Sequence, residues 1–167
     1  MIAETQRTAL FISHATPEDN DFVRWLGAKL TALGYEVWAD VMRLRGGCDW
    51  SRELEEALRR RAGKVLVVCT PTGLDKDGVR NEIEIASGLG KQLGDREFII
   101  PLRLESYEAP FRIAQAQYVD FKGGWARGFA ELADLLSQFS SLRKEPGRST
   151  EAWLWAQRDG ATRLVDR

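Results

Sequence analysis

The stretch Lys64-Val-Leu-Val-Val-Cys-Thr70 restricts the fold of this chain more than any other. Residues 65–69 are all apolar, so a strand here has no face to offer to water. It has to be covered on both sides, as a central strand of a parallel sheet is. Four other short runs read as strands: Thr8-Ala-Leu-Phe-Ile-Ser13, Tyr35-Glu-Val-Trp-Ala39, Phe98-Ile-Ile-Pro-Leu-Arg-Leu104 and Tyr118-Val-Asp-Phe121. Between them the apolar residues take helical spacing. Phe22, Trp25, Leu26, Leu30 and Leu33 mark a helix over 19–33, and Leu54, Ala57 and Leu58 mark one over 50–61. Val79, Ile83, Ala86 and Leu89 mark a third, and Trp125, Phe129, Leu132, Leu136 and Phe139 a fourth over 125–139. Strands alternating with helices predict an α/β fold: a flavodoxin-like three-layer sandwich, its five-stranded parallel sheet ordered 2-1-3-4-5 with helices on both faces.

Local signals add detail. Thr16 is expected to cap the first helix, with Pro17 at its first position, and Gly34 to end it in the left-handed conformation. Residues 71–77 read as a loop, and 105–116 as irregular with one short helix. Pro101 argues that the fourth strand lies at an edge or that the proline marks a strand end. The polar stretch 140–150, with Pro146 and Gly147, reads as a linker. The expected organisation is a domain over 1–140, then a linker and short tail over 141–167, in which Trp153 and Trp155 need a surface to bury against.

A chain of 167 residues can bury a core without disulfides or metal. Its net charge of −1 supplies no global field for nucleic acid or anionic lipid. Two cysteines, Cys48 and Cys69, make no disulfide framework and fit a reducing cytosol. No stretch approaches the ~20 apolar residues of a membrane span, and the first residues lack the pattern of a signal peptide. A cytoplasmic location is expected. A single histidine, His14, argues against a histidine-built metal site. Neither metal nor cofactor is expected.

In an open parallel sheet, ligands sit outside the carboxyl ends of the strands, where the strand order reverses. That rule selects Ser13, His14, Ala15 and Thr16 after the first strand, Asp40 and its loop after the second, and Thr70-Pro-Thr72 after the third. The helix that follows carries two carboxylates. At about 100° per residue, Glu82 falls within the inward stripe of Val79, Ile83 and Ala86, and Glu84 falls nearly opposite. An inward carboxylate is costly without a partner or a task. Either Glu82 pairs with an arginine at the edge of the core, or it faces a ligand. Several occupants of such folds are absent. There is no G-x-G-x-x-G after the first strand and no G-x-x-x-x-G-K-[ST]. Gly88 to Gly94 reads as a helix end. A phospho-acceptor would need an Asp where Cys69-Thr70 stands. His14 has no nucleophile elbow beside it and reads as a lining residue. Arg59-Arg-Arg61 suits the negative end of a helix rather than a nucleic-acid patch.

Taken together, Leu10-Phe-Ile-Ser-His14, Gly34-Tyr-Glu-Val-Trp-Ala-Asp40, the Gly46-Gly47 loop leading to Trp50, Val65-Leu-Val-Val-Cys-Thr-Pro71 and Val79-Arg-Asn-Glu82 resemble a bacterial TIR (Toll/interleukin receptor) domain over residues 8–139. The resemblance implies an NAD+ glycohydrolase in which Glu82 is the catalytic carboxylate. It implies substrate contacts from Ser13, His14, Ala15, Asp40, Arg43 and Trp50, the last as the aromatic of the loop after the second strand. Gly78 departs from the family, where many members have a Trp. The family also implies activation by self-association through the 40–50 loop. Residues 100–128 are similar to TIR domains fused to an APAZ module that pair with short prokaryotic Argonautes, which implies an immune effector without direct nucleic-acid or membrane binding. Two other readings stand beside this one. One is a non-catalytic TIR adaptor, which would not need Glu82. The other is a nucleoside deoxyribosyltransferase-like enzyme, which would take free nucleosides instead of NAD+.

Overall fold

A computed structural model describes residues 6–41 and 50–142. Strands β1 (Ala9–Ser13), β2 (Val37–Ala39), β3 (Ala62–Cys69), β4 (Ile99–Arg103) and β5 (Val119–Asp120) pair in parallel, in the order β2-β1-β3-β4-β5. This is the expected topology. β3, the apolar run, lies at the centre, with Phe11 opposite Val65 on one side and Val67 opposite Pro101 on the other. Side chains alternate across a strand. Leu66 and Val68 therefore join one cluster, with α1 (Asn20–Ala32) and α5 (Trp125–Leu136). Val65, Val67 and Cys69 join the other, with α4 (Asp77–Leu93) and the turn Ala57–Arg61. The sheet is covered on both faces because its central strand has no polar face.

Elements differ from expectation where a local signal found a more distant partner. α1 begins at Asn20, not near Thr16, and its first turn has no side-chain cap. The Thr16 hydroxyl instead donates to Asp40 Oδ2 at 3.0 Å. Gly34 does end the helix, with φ of 96°. The expected helix over 50–61 divides into α2 (Trp50–Glu56) and a π-helical turn over Ala57–Arg61. The stretch expected to be a loop contains a short helix, α3 (Pro71–Asp75). Thr70 Oγ1 accepts from Gly73 N at 2.9 Å and Pro71 opens the helix, which is the ordinary chemistry of a helix start. The same hydroxyl donates to Asp19 Oδ2 at 3.1 Å. Thr70→Ala is expected to cost about 1–2 kcal/mol, read as a lower urea midpoint, and Thr70→Ser to recover most of it.

Pro101 sits inside β4, which has a neighbour on each side, so β4 is not an edge strand. Val65 N donates to Phe98 O and Leu104 N to Cys69 O, so the even-numbered residues of β4 bond towards β3. The nitrogen of Pro101 points the other way, towards β5, which pairs only with Leu102 and Arg103. The missing N–H therefore breaks no ladder bond. Leu142, placed in the expected linker, is buried in the cluster with α1 and α5. Trp153 and Trp155 lie outside the described residues.

Candidate active site

Three segments meet at the carboxyl end of β1. β1 ends in Ser13, β2 runs into Asp40, and the first turns of α4 bring Glu82 against them. α4 packs Val79, Ile83 and Ala86 onto the sheet, and the helical phase that buries these residues also turns Glu82 inward. Glu82 is half-buried, and among the described residues no Arg or Lys pairs with it. Burial pushes its carboxyl up to about 8, the Asp40 carboxylate pushes in the same direction, and the Ser13 hydroxyl pulls against them. Ser13 is 1 % exposed. Its Oγ stands close enough to favour the Glu82 carboxylate, yet it makes no bond of hydrogen-bond geometry to any described group. A buried hydroxyl without a partner is costly. Glu84, as its phase predicts, is exposed on another side of the helix and accepts from Arg112 Nε at 3.2 Å.

The remaining expected contacts are placed as follows. His14 is buried, and its Nε2 faces Asn20 Oδ1 at 2.9 Å and Thr16 Oγ1 at 3.3 Å. The single Thr16 proton is given to Asp40, so Nε2 carries a hydrogen and donates. Burial lowers the His14 pKa, against the hydrogen bond to Asn20 and the charge of Asp40. This favours the neutral ring. The Ala15 side chain is fully buried and closed to a ligand. Asp40 is exposed at the mouth of the crevice. Trp50 opens α2, but its side chain lies outside the described residues, as does Arg43. A Cβ at Gly78 would meet nothing within 4 Å, so a larger residue could begin there without a clash.

Thr16, which the strand-end rule selects, joins the site through a contact with Asp40 that was not expected, and Asn20 joins it without having been expected. A hydroxyl at a strand end, 24 residues before the carboxylate it meets, carries no local signal for that contact. A cavity of about 640 Å³ lies elsewhere, lined by Arg80, Ile83, Glu84 and Phe111 but not Glu82. It takes in Pro71 after β3 and residues 108–112 after β4, on the side of α4 away from Ser13 and Asp40. Among the described residues no group of three or more His, Cys, Asp or Glu could hold a metal ion, and no helix is long and apolar enough to cross a membrane.

The sequence profile of the TIR domain matches residues 10–135. The chain is 36 % identical over 165 residues to the uncharacterized protein y4cD of Sinorhizobium fredii, a match covering 99 % of this chain and 26 % of that protein. It is 32 % identical over 94 residues to the 2' cyclic ADP-D-ribose synthase AbTIR of Acinetobacter baumannii, covering 56 % of this chain and 34 % of that one. It is 28 % identical over 98 residues to the 2' cyclic ADP-D-ribose synthase BtTIR of Bacteroides thetaiotaomicron, covering 59 % and 33 %. The chain thus spans between a quarter and about a third of the length of these relatives. The crystal structure of the TIR domain of the Toll-related receptor TRR-2 from Hydra magnipapillata superposes with a TM-score of 0.55 at 20 % identity, over 77 % of this chain and 95 % of that one, a likeness of fold.

Proposed function

The chain belongs to the TIR domain family, and from that premise we propose that it is an NAD+ nucleosidase with Glu82 as its catalytic carboxylate. Two relatives are named for making 2' cyclic ADP-D-ribose, and we extend to this chain cleavage of the bond between nicotinamide and ribose. The supporting observation is Glu82: a half-buried carboxylate at the strand ends, without a cation partner among the described residues and beside an unpartnered hydroxyl.

The chemistry suits a site with one inward carboxylate. The nicotinamide of NAD+ is already a cationic pyridinium and leaves as a neutral base, so departure needs no general acid, unlike an ordinary glycoside. As the C1′–N bond breaks, positive charge moves onto the ribose. An ionised Glu82 beside it stabilises that charge in a half-dry crevice where it counts for more than in water. Water then attacks C1′, giving ADP-ribose, nicotinamide and a proton. A hydroxyl of the same molecule in place of water gives a cyclic product. Asp40 accepts from the ribose hydroxyls, and Ser13 Oγ donates to the ligand or to Glu82. By the family resemblance, Trp50 stacks on the planar base and Arg43 contacts the substrate. NAD+ is the substrate, and no cofactor takes part.

The wider reading follows from the family. We place the enzyme in the cytoplasm as a bacterial immune effector against phage or plasmids, switched on by self-association through the 40–50 loop. Its partner is an APAZ module and a short Argonaute, in keeping with the similarity of residues 100–128.

The pKa of Glu82 makes the reading testable. Free enzyme with a Glu82 pKa of about 8 is largely protonated at neutral pH, so kcat/KM should rise with pH through that value. A bound pyridinium cation favours the carboxylate, so the acid limb of kcat should lie at lower pH than that of kcat/KM. The direct test is nicotinamide release from NAD+, with and without a crowding agent, beside free nucleosides. Release from NAD+ alone is expected. Release from nucleosides alone, or from neither substrate under assembling conditions, overturns the reading.

A further inference from the structure

We propose that Thr16 is a positioning residue, whose hydroxyl holds the Asp40 carboxylate at the mouth of the Glu82 crevice, ready for the hydroxyls of the ribose. The inference rests on the NAD+ reading above and adds a specific function for a residue that the family resemblance does not name.

The geometry is a chain of hydrogen bonds running outward from the core. Asn20, the first residue of α1, takes the Nε2 hydrogen of buried His14 at 2.9 Å. Thr16 Oγ1 shares that hydrogen at 3.3 Å and donates its own to Asp40 Oδ2 at 3.0 Å. His14 donates to both Asn20 and Thr16, Thr16 donates on to Asp40, and the series ends on a carboxylate that can only accept. Asp40 is exposed and is the first residue after β2. Its carboxylate would be free to rotate without this bond. The bond from Thr16 occupies one oxygen and leaves the other for a ligand that donates.

Thr16 is itself exposed, so its side chain has little packing to explain its presence. It does not cap α1 either. What it does is join the turn after β1 to the turn after β2, the two turns that flank the crevice. The ribose diol offers two donors. A second fixed carboxylate at the mouth takes them and leaves Glu82 free for the charge that develops at C1′.

The diol contact is made alike in the ground state and the transition state, so losing it should raise KM and spare kcat. Thr16→Val is expected to raise KM for NAD+ about tenfold, the effect of one charge-assisted hydrogen bond, with kcat within about twofold and an unchanged melting temperature. Thr16→Ser should restore KM to within about twofold. In an Asp40→Asn background, Thr16→Val should add nothing, because the two residues act as one unit. The same cycle is read as NAD+ affinity by calorimetry in a Glu82→Gln background, where turnover does not interfere. Additive effects of the Thr16 and Asp40 variants, or no recovery in Thr16→Ser, overturn the proposal while leaving the NAD+ reading standing. A chain that neither binds nor cleaves NAD+ overturns both.

Discussion

Glu82→Gln is expected to lower nicotinamide release about 10²–10³-fold, the loss typical of removing one preorganised electrostatic stabiliser, and to raise the melting temperature at pH 8. The two effects share one cause. Burial and Asp40 hold the carboxyl up at about 8 in the folded chain, well above its ordinary value. Between the unfolded and the folded pKa, the unfolded chain has released the proton and the native chain still binds it. Stability from this group is therefore fully present below the unfolded value and is lost as pH rises towards 8. Gln is neutral at every pH and escapes that loss. The gain of the variant over the parent should be absent near pH 4 and grow steadily to pH 8, when both are followed by thermal denaturation across that range. A constant difference over the whole range would mean that Glu82 is solvated and ionised in the native state. Such a carboxylate would not be poised to respond to a cationic substrate.

Phe121→Ala is expected to cost about 3–5 kcal/mol, which is roughly 6–20 °C in melting temperature for a domain of this size. Phe121 follows β5 and is 1 % exposed. Its ring meets Phe22 edge-on, with centroids 5.1 Å apart at 77°. It also lies against Gly128 of α5 so closely that a Cβ there would approach Phe121 Cδ1 to 2.6 Å and Asp120 O to 2.8 Å. The ring thus fills the space that glycine leaves between helix and sheet. Its removal opens a cavity that backbone on one side and a packed ring on the other cannot close. Gly128→Ala attacks the same contact from the other side by overpacking, at about 1–3 kcal/mol. Melts followed by circular dichroism check both. A shift below about 3 °C for Phe121→Ala would contradict this packing.

The frame of the molecule was legible because its signals are periodic and short in range. Residues 65–69 have no polar face, and the strand–helix alternation around them leaves few topologies for a parallel sheet. Glu82 was legible for the same reason. Helical phase alone sets it apart from Glu84, and the rule for ligand sites in open sheets adds Ser13, Thr16 and Asp40. What sequence reading missed depends on partners distant in the chain. Thr16 looks like a helix cap because capping is the local task of such a residue before Pro17. Its real acceptor is Asp40, which only the pairing of β1 with β2 brings near. Pro101 looks like an edge residue because its missing N–H has a cost only if a neighbour needs it, and the short β5 does not. Thr70-Pro71 did carry the signal for α3, but a helix of five residues is too brief to show a periodicity.

The central claim is that one carboxylate of two on the same helix carries the chemistry. The most direct test is nicotinamide release from NAD+ by the full chain at high concentration with a crowding agent, comparing Glu82→Gln with Glu84→Gln. Glu84 is exposed and its carboxylate accepts from Arg112, so its variant should keep the parent rate to within about twofold. Glu82→Gln should fall by about 10²-fold or more. Equal rates in the two variants, or equal losses, would contradict the account.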